Sequence, residues 1–411
     1  MSERAYAGGP QGRYLLLGAT VSLVVLGLVM IWSASSAADF VRLGDSAYHV
    51  KRQAASAAAG LVLMLVLERI DFHRLQRYSW VLWGASAAGL LAVLVSGIGK
   101  WGSTRWAVVG GLTIQPSEYA KAAVVMVTAS LLTAWCAGRL ADKDLFGRLA
   151  LAVVPVVVLI MAQPDLGTTI ALVAAVYLVL LLGGLRKRYL AAMGALGASL
   201  CTLAVFTNAE RAARFVAFLD PWADPRGDGY QTIQAFLAFG SGGPTGVGLG
   251  MSDQKFFYLP AAHTDFILAI IGEELGLFGS LGVVGAFGVF AYAGFRIAMG
   301  TRDRFGRLLA GGLTAMIVAQ AVMNMAAVTA LMPVTGIPLP LVSYGGSSLT
   351  FTLLCVGVVL SVARRGCAGR GRRVRPEGER SHDALPAQRG RYRRARLPGT
   401  DGGRAAAGRR A

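Results

Sequence analysis

Charged side chains are scarce in this sequence. Only 15% of its 411 residues are Asp, Glu, Lys or Arg, whereas a soluble domain averages about 25%. Hydrophobic residues make up 55% of the chain, and its mean hydropathy is +0.56. This balance argues against a soluble globular protein and indicates a chain that lives in a lipid membrane.

Cysteine and histidine are also rare, with four of each. The cysteines are Cys136, Cys201, Cys355 and Cys367. They show no CxxC or other paired spacing, so neither a disulfide framework nor a zinc site is indicated. The histidines are scattered and form no ligand cluster. The sequence also has no phosphate-binding P-loop and no dinucleotide-binding glycine pattern, so it gives no sign of a nucleotide site.

Long apolar segments, by contrast, recur along the whole chain. A helix needs about 20 apolar residues to cross a hydrocarbon core of about 30 Å. Ten windows reach or approach that length, so we expect an all-α, polytopic membrane protein with ten transmembrane helices. The predicted spans are 14–34, 53–68, 79–97, 117–136, 148–162, 165–184, 189–207, 265–295, 308–330 and 344–363.

The distribution of positive charge predicts how these spans are oriented. Lys and Arg concentrate in cytoplasmic loops, and 13 of them lie in four short connections of this chain. This places both termini in the cytoplasm and one long connection, 208–264 between spans seven and eight, outside. The domain organisation is then a cytoplasmic segment 1–13, a ten-span membrane domain 14–363 and a cytoplasmic tail 364–411.

The tail is strongly basic, with 15 arginines against four acids. It is rich in Gly, Pro and Ala and poor in apolar residues, so we expect it to be disordered. Much of the formal net charge of +18 lies in this tail. Attraction to anionic membrane lipids explains such a segment better than binding to nucleic acid does.

Polar motifs stand at the starts of spans four, six, eight and ten. Those spans all run from outside to inside, so we expect their motifs to meet at the outer face, together with GKWGSTRW (99–106). Ionisable groups in or near spans indicate function by default. The four motifs are QPSEYAK (115–121), QPDLGTT (163–169), AHTDF (262–266) and SYGGSS (343–348).

Each motif also has an ordinary structural interpretation. A proline followed by an acid, as in both QP motifs, is common helix-start chemistry. Glu118 and Lys121, three residues apart, can simply neutralise each other. The small residues of SYGGSS let helices approach closely. Glu273 and Glu274 lie two to three turns beyond the AHTDF motif, where pairing with neighbouring helices is expected.

At these motifs the sequence resembles the SEDS family of bacterial membrane proteins (shape, elongation, division, sporulation), which includes FtsW, RodA and SpoVE. VMIWSASS (29–36) and the stretch before AHTDF are more similar to the FtsW branch than to RodA. The resemblance, from about residue 14 to 363, rests on STRWAVVGGLTIQPSEYAK, QPDLGTT, DPWADPRGDGYQTIQAFLAFGSGGPTGVGLG, YLPAAHTDFILAIIGEELG and MPVTGIPLPLVSYGGSSL.

The chain departs from the family pattern at two positions. Ala261 stands where the family usually has Glu, and Thr335 stands where some FtsW proteins have Lys. These departures bear on the branch within the family more than on membership.

The resemblance implies a peptidoglycan glycosyltransferase that polymerises lipid II at the outer face of the bacterial cytoplasmic membrane, in septal cell-wall synthesis during division. It implies that Asp265 is the catalytic residue. The family motifs carry over to Arg105, Trp106, Glu118 and Lys121 as residues of the outward cavity. The full set that we predict to bind substrate is Arg105, Trp106, Glu118, Lys121, Gln163, Asp165, His263, Ser343 and Tyr344.

Cofactors and partners follow from the same resemblance. A divalent cation, Mg²⁺ or Mn²⁺, on the pyrophosphate fits the chemistry, but the sequence shows no metal ligand set. The expected partners are lipid II, a class B penicillin-binding protein that supplies transpeptidase activity, other division proteins and membrane lipids, with no nucleic acid.

Two other classes of function stay open. A lipid II flippase is favoured by Glu273 and Glu274, because transporters place charges deep between broken helices. A non-catalytic scaffold that recruits a transpeptidase is the other. The grouping of ionisable residues at one membrane face favours the enzyme over both.

Overall fold

The computed structural model describes residues 9–96, 105–109, 112–256 and 258–366. The predicted tail beyond residue 366, residues 1–8 and most of the GKWGSTRW segment lie outside the described residues. Helices dominate what is described, so the prediction of an all-α membrane protein is confirmed. The helices are α1 Gly9–Leu43, α2 Tyr48–Arg69, α3 Phe72–Ser96, α4 Pro116–Cys136, α5 Asp142–Ala162, α6 Leu166–Leu182, α7 Lys187–Phe206, α8 Ala209–Leu219, α9 Tyr230–Gly242, α10 Ile267–Gly300, α11 Arg304–Val328 and α12 Gly346–Gly366.

Each of the ten predicted apolar segments falls largely within one of these helices. Within the described residues, nine helices are long and apolar enough to cross a membrane. The sixth predicted segment corresponds to α6, a shorter apolar helix of 17 residues. At about 1.5 Å per residue it extends about 26 Å, slightly less than a typical hydrocarbon core.

The predicted long connection before α10 contains secondary structure of its own. It holds α8, a short 3₁₀ helix at Pro221–Ala223, and α9. A two-stranded antiparallel hairpin, β1 (Ala107–Val109) with β2 (Leu112–Ile114), precedes α4. Of these pieces, α9 packs against α10 and β2 contacts α12, two of the helices whose starts carry the polar motifs.

The centre of the bundle is formed by α4, α11 and α12, whose apolar windows are 67%, 78% and 78% buried. Small residues allow this close packing, since helices in lipid associate mainly through van der Waals contact. At Gly312 on α11, an added Cβ would lie 2.5 Å from Val179 Cγ2 on α6. Helix α7 is the opposite case, with 6% of its window buried, and lies at the edge.

Helix α10 is broken at Gly276, whose φ of +68° is left-handed. The turn after α9 fills the break: Val247 N donates to the carbonyl of Glu273 over 3.0 Å, and Leu277 N donates to that of Gly243 over 2.9 Å. Backbone groups left unpaired inside a membrane cost several kcal/mol. The glycine-rich turn therefore serves to satisfy the interrupted helix.

The two glutamates on α10 have structural partners, as their packing interpretation expects. Glu274 accepts hydrogen bonds from Ser33 Oγ at 2.6 Å and from Lys255 Nζ at 3.3 Å. Glu273 accepts from the backbone N of Asp253 at 3.0 Å. These buried carboxylates thus attach α1 and the 250–256 loop to α10.

Candidate active site

The starts of α4, α6, α10 and α12 meet at one end of the bundle, which we call the motif end. Ser343 Oγ donates to the carbonyl of Thr264 at 2.6 Å, and Tyr344 N donates to that of His263 at 2.9 Å. These bonds join the segment before α12 to the segment before α10. The predicted convergence is therefore observed directly for AHTDF and SYGGSS.

A cavity of about 760 Å³ opens at the motif end. Its walls come from the start of α6, the end of α7, the helix α8, the 226–232 turn and the 330–336 segment. The apolar part of the wall includes Ile170, Val205 and Phe206, while arginines and two carboxylates supply the polar part. The charged residues that line it are Arg105, Arg211, Arg214, Arg226, Asp228 and Asp265.

Asp265 lies in the last turn before α10 begins and lines the cavity. Its backbone carbonyl accepts a hydrogen bond from Asn324 Nδ2 at 2.8 Å. Burial raises the pKa of the Asp265 carboxyl to about 6, although the nearby Arg105 guanidinium lowers it. A carboxylate with a pKa near neutral pH is suited to accept a proton.

Arg105 is held in place by the end of α5. Its Nε donates to the carbonyl of Gln163 at 3.0 Å, and its Nη2 donates to that of Pro164 at 2.5 Å. Carbonyls at a helix C-terminus carry partial negative charge, which favours a cation there. The guanidinium is thus fixed at the cavity wall. Trp106 is its chain neighbour and is partly buried.

The sequence reasoning missed three of the cavity arginines. Arg211 and Arg214 lie three residues apart on α8, and Arg226 follows the 3₁₀ helix. Arg211 Nη1 donates to the carbonyl of Ala204 at 3.2 Å, and Arg214 Nη2 lies 2.7 Å from Glu210 Oε1. A signal was available, because arginines in a connection predicted to lie outside run against the positive-inside tendency.

The cavity therefore carries excess positive charge. Four arginines face it, against the carboxylates of Asp228 and Asp265. Guanidinium groups bind phosphate and carboxylate groups through paired, charge-assisted hydrogen bonds. The arrangement suits an anionic ligand placed next to one carboxylate of raised pKa.

Glu118 and Lys121 lie in the protein interior instead. Lys121 Nζ is 3.0 Å from Glu118 Oε1 and donates to Gln320 Oε1 at 2.6 Å, and both charged side chains are almost fully buried. Neither is among the described residues that line the cavity. Their predicted role in substrate binding stays a prediction, and the geometry shows a buried ion pair attached to α11.

Gln163 and Asp165 support the start of α6. Gln163 Nε2 donates to the carbonyl of Leu90 at 3.0 Å. Asp165 is the N-cap of α6, with its Oδ1 accepting from Thr168 N at 3.0 Å. The Asp165 carboxylate also contributes to the raised pKa of Asp265. Gln163 reaches the cavity indirectly, through the Arg105 that its carbonyl holds.

The turn that carries Asp265 is stabilised by contacts of three residues, His263, Ser343 and Tyr344. The His263 ring lies 4.9 Å from the His49 ring and 5.7 Å from the Tyr344 ring. Burial lowers the pKa of His263 to about 4, so this ring is neutral at physiological pH. Ser343 Oγ accepts from Leu339 N at 2.8 Å as well as donating to the turn.

No group of three or more His, Cys, Asp and Glu side chains that could hold a metal ion occurs in the described ranges. A divalent cation at this site stays a prediction.

Fold and site together define a multi-pass helical membrane protein with a cationic, carboxylate-bearing cavity at one end of its bundle. The family model described as "Cell cycle protein", covering FtsW, RodA and SpoVE, matches residues 14–366. The chain belongs to this family, as its motifs predicted.

Individual relatives are similar in sequence to this chain along most of their length. The chain is 39% identical over 352 residues to "Stage V sporulation protein E" of Bacillus subtilis, covering 85% of this chain and 96% of that protein. It is also 39% identical over 358 residues to "Probable peptidoglycan glycosyltransferase FtsW" of Trichlorobacter lovleyi, covering 85% and 92%. These two relatives show equal identity to the chain.

Solved structures show the same fold. A chain in "Structural coordination of polymerization and crosslinking by a peptidoglycan synthase complex" matches with a TM-score of 0.71 and 32% identity, covering 85% of this chain and 96% of that chain. The rod shape determining protein RodA of Thermus thermophilus matches with a TM-score of 0.63 and 30% identity, covering 85% and 95%.

Proposed function

We propose that this protein is a peptidoglycan glycosyltransferase that polymerises lipid II at the outer face of the bacterial cytoplasmic membrane, in septal synthesis during division. The observation that carries the proposal is the position of Asp265. Its carboxyl group, with a pKa near 6, lies in a cavity lined by four arginines. The relatives named as probable peptidoglycan glycosyltransferases support the same activity.

In the proposed reaction Asp265 acts as general base. It takes the proton from the 4-hydroxyl of the acceptor GlcNAc while that oxygen attacks C1 of the donor MurNAc. The bond between C1 and the pyrophosphate oxygen breaks, and undecaprenyl pyrophosphate leaves with the electron pair. The α-linked donor gives a β-linked product, so one base and a stabilised leaving group suffice. General-base assistance contributes about 10²–10⁴-fold.

The cavity arginines would stabilise the leaving group. The pyrophosphate gains negative charge as the glycosidic bond breaks, and donors fixed in advance stabilise that charge in the transition state. Arg105 is already oriented by two carbonyls, and Arg211, Arg214 and Arg226 add positive charge from the α8 side. The apolar wall beside α7 suits the lipid tail.

The proposed partner is a class B penicillin-binding protein, within a larger set of division proteins. Glycan strands need cross-linking, and the chain that matches with a TM-score of 0.71 belongs to a peptidoglycan synthase complex. A divalent cation, Mg²⁺ or Mn²⁺, would add charge stabilisation to the leaving pyrophosphate.

A lipid II transporter is the second candidate, favoured by the break of α10 at Gly276. Transporters place substrate sites at such breaks. Here, however, the α9 turn fills the break, and the nearby glutamates are paired with Ser33, Lys255 and a loop.

Two measurements on the purified protein separate the candidates. In detergent with its partner, the protein should convert lipid II into glycan strands. In liposomes, under conditions in which no polymer forms, it should leave labelled lipid II in its original leaflet. Lipid II movement across the bilayer with no polymer formed would favour the transporter.

A further inference from the structure

Two amide side chains lie one turn apart in the C-terminal part of α11, near the candidate active site. Gln320 and Asn324 are both buried, with 4% and 2% of their surface exposed. Their spacing of four residues places them on the same helix face. Buried amides inside a membrane helix are costly unless they are hydrogen-bonded, so these two call for a structural or functional reason.

Both amides bind the segment that approaches Asp265. Gln320 Nε2 donates to the carbonyl of Pro338 at 3.3 Å, and Asn324 Nδ2 donates to that of Ile337 at 2.7 Å. The Asn324 amide also donates to the carbonyl of Asp265 at 2.8 Å. The Asn324 side chain therefore joins two segments that lie outside the helices, by binding the carbonyl groups of Asp265 and Ile337.

The segment held by these amides reaches the reactive carboxylate. Gly336 adopts a φ of +67°, and a Cβ added there would lie 3.7 Å from Asp265 Oδ2. The far end of the segment is tied to the same turn by the bond from Ser343 Oγ to the Thr264 carbonyl. The position of the Asp265 carboxylate is thus defined by this segment on one side and by Asn324 behind it.

The buried ion pair of Glu118 and Lys121 is connected to these hydrogen bonds through Gln320. Lys121 Nζ has only donor hydrogens, so Gln320 must turn its oxygen toward Lys121. That orientation directs Gln320 Nε2 toward the Pro338 carbonyl. Glu118 Oε1 places an opposite charge 3.0 Å from Lys121 Nζ in the interior.

We propose that Asn324 is a positioning residue for Asp265, and that Glu118 and Lys121 affect the reaction by orienting Gln320 and not by touching substrate. The proposal rests on the glycosyltransferase function proposed above. It differs from the role in substrate binding that the family motif predicts for the pair.

The first test removes the Asn324 amide. A reacting group displaced by about 1 Å can lose about 10²-fold in rate. We therefore expect Asn324→Ala to lower kcat for lipid II polymerisation by about 100-fold, with KM within about threefold of wild type, because the cavity arginines are unchanged. The matched control is Thr314→Val, which removes a buried hydroxyl on the same helix that bonds only to its own turn, at Ala310. It should retain wild-type kcat.

The second test separates positioning from substrate contact at the ion pair. Lys121→Met alone leaves the Glu118 charge buried without a partner and should lower kcat by at least about tenfold. The double variant Glu118→Gln, Lys121→Gln has no buried charge but keeps an N–H donor at position 121 for Gln320 Oε1, and neutral replacement of an ion pair is often tolerated. It should recover kcat to within about threefold of wild type, with KM unchanged throughout. A raised KM in the single variant, with no recovery in the double variant, would overturn the proposal.

A structural measurement keeps the inference testable if a single variant or the wild type makes no polymer. The Asn324→Ala and double-variant structures can be compared with wild type by cryo-electron microscopy. We expect the Asp265 carboxylate to move by about 1 Å or more in Asn324→Ala and to stay in place in the double variant. An unmoved carboxylate in Asn324→Ala contradicts the inference. Absence of polymer from wild type contradicts only the proposed function.

Discussion

The pH dependence of the rate offers a direct view of Asp265. As a general base, Asp265 must be ionised, so kcat/KM should fall about tenfold per pH unit below its pKa in the free enzyme. Burial raises that pKa to about 6, and the Arg105 guanidinium opposes the increase. We therefore expect the acidic limb of the wild-type profile to have its midpoint near pH 6.

Replacing Arg105 should move that midpoint in a defined direction. Arg105→Gln removes a positive charge that favours the ionised form of Asp265, so the pKa must rise above its wild-type value. Opposite charges at close range shift a carboxyl pKa by about one to three units, and one unit corresponds to about 1.36 kcal/mol. We expect the acidic limb to move upward by about one unit, toward pH 7.

The assay is initial-rate lipid II polymerisation by purified protein with its partner, from pH 5 to pH 8 at constant ionic strength. Arg52→Gln is the matched control, because Arg52 pairs with Tyr48 and does not line the cavity among the described residues. Its acidic limb should coincide with that of wild type. A wild-type midpoint below pH 5, or an unmoved or lowered midpoint in Arg105→Gln, would refute this electrostatic reasoning.

Three further predictions concern binding, backbone shape and stability. Arg214→Gln should raise KM for lipid II about tenfold, since a hydrogen bond to a charged group contributes about 1.5–3 kcal/mol. Steady-state kinetics at two salt concentrations would measure this increase. An unchanged KM would argue against a role of Arg214 in binding the pyrophosphate. Gly336→Ala forces a residue with a side chain into a left-handed conformation, which costs about 1–2 kcal/mol, and places a methyl group beside Asp265. We therefore expect kcat to fall, while lipid II binding, measured by titration, persists. Lys255→Met leaves the buried Glu274 without its cation and should lower the free energy of unfolding by about 3–5 kcal/mol. A thermal shift assay would show this loss as a lower Tm, whereas an unchanged Tm would mean that the ion pair adds nothing to stability.

Hydropathy and motif order predicted much of the architecture. The apolar windows gave the helices within a few residues at most ends, and the common direction of spans four, six, eight and ten predicted that their motifs would meet. The break of α10 was not predictable, because Gly276 is one of several glycines along this helix and its left-handed conformation depends on the distant turn at 243–248. Contacts between segments so far apart leave no local pattern.

The candidate site was predicted in part. Asp265 and Arg105 line the cavity, whereas Lys121 faces Gln320 in the interior. Sequence position alone could not tell these apart, since a helix start offers both an exposed and a buried face. Asn324 escaped notice because amides within an apolar helix resemble ordinary packing. Its importance comes from two carbonyls that only the folded chain brings near it.

The most direct test of the central claim compares two carboxylates in the same cavity. Asp265→Asn and Asp228→Asn each remove one negative charge from the cavity wall. Polymerisation of lipid II by each purified variant with its partner is then measured against wild type. If Asp265 is the general base, Asp265→Asn loses about 10²–10⁴-fold or more, while Asp228→Asn loses far less. Near-normal glycan synthesis by Asp265→Asn, or equal losses in both variants, would contradict the assignment.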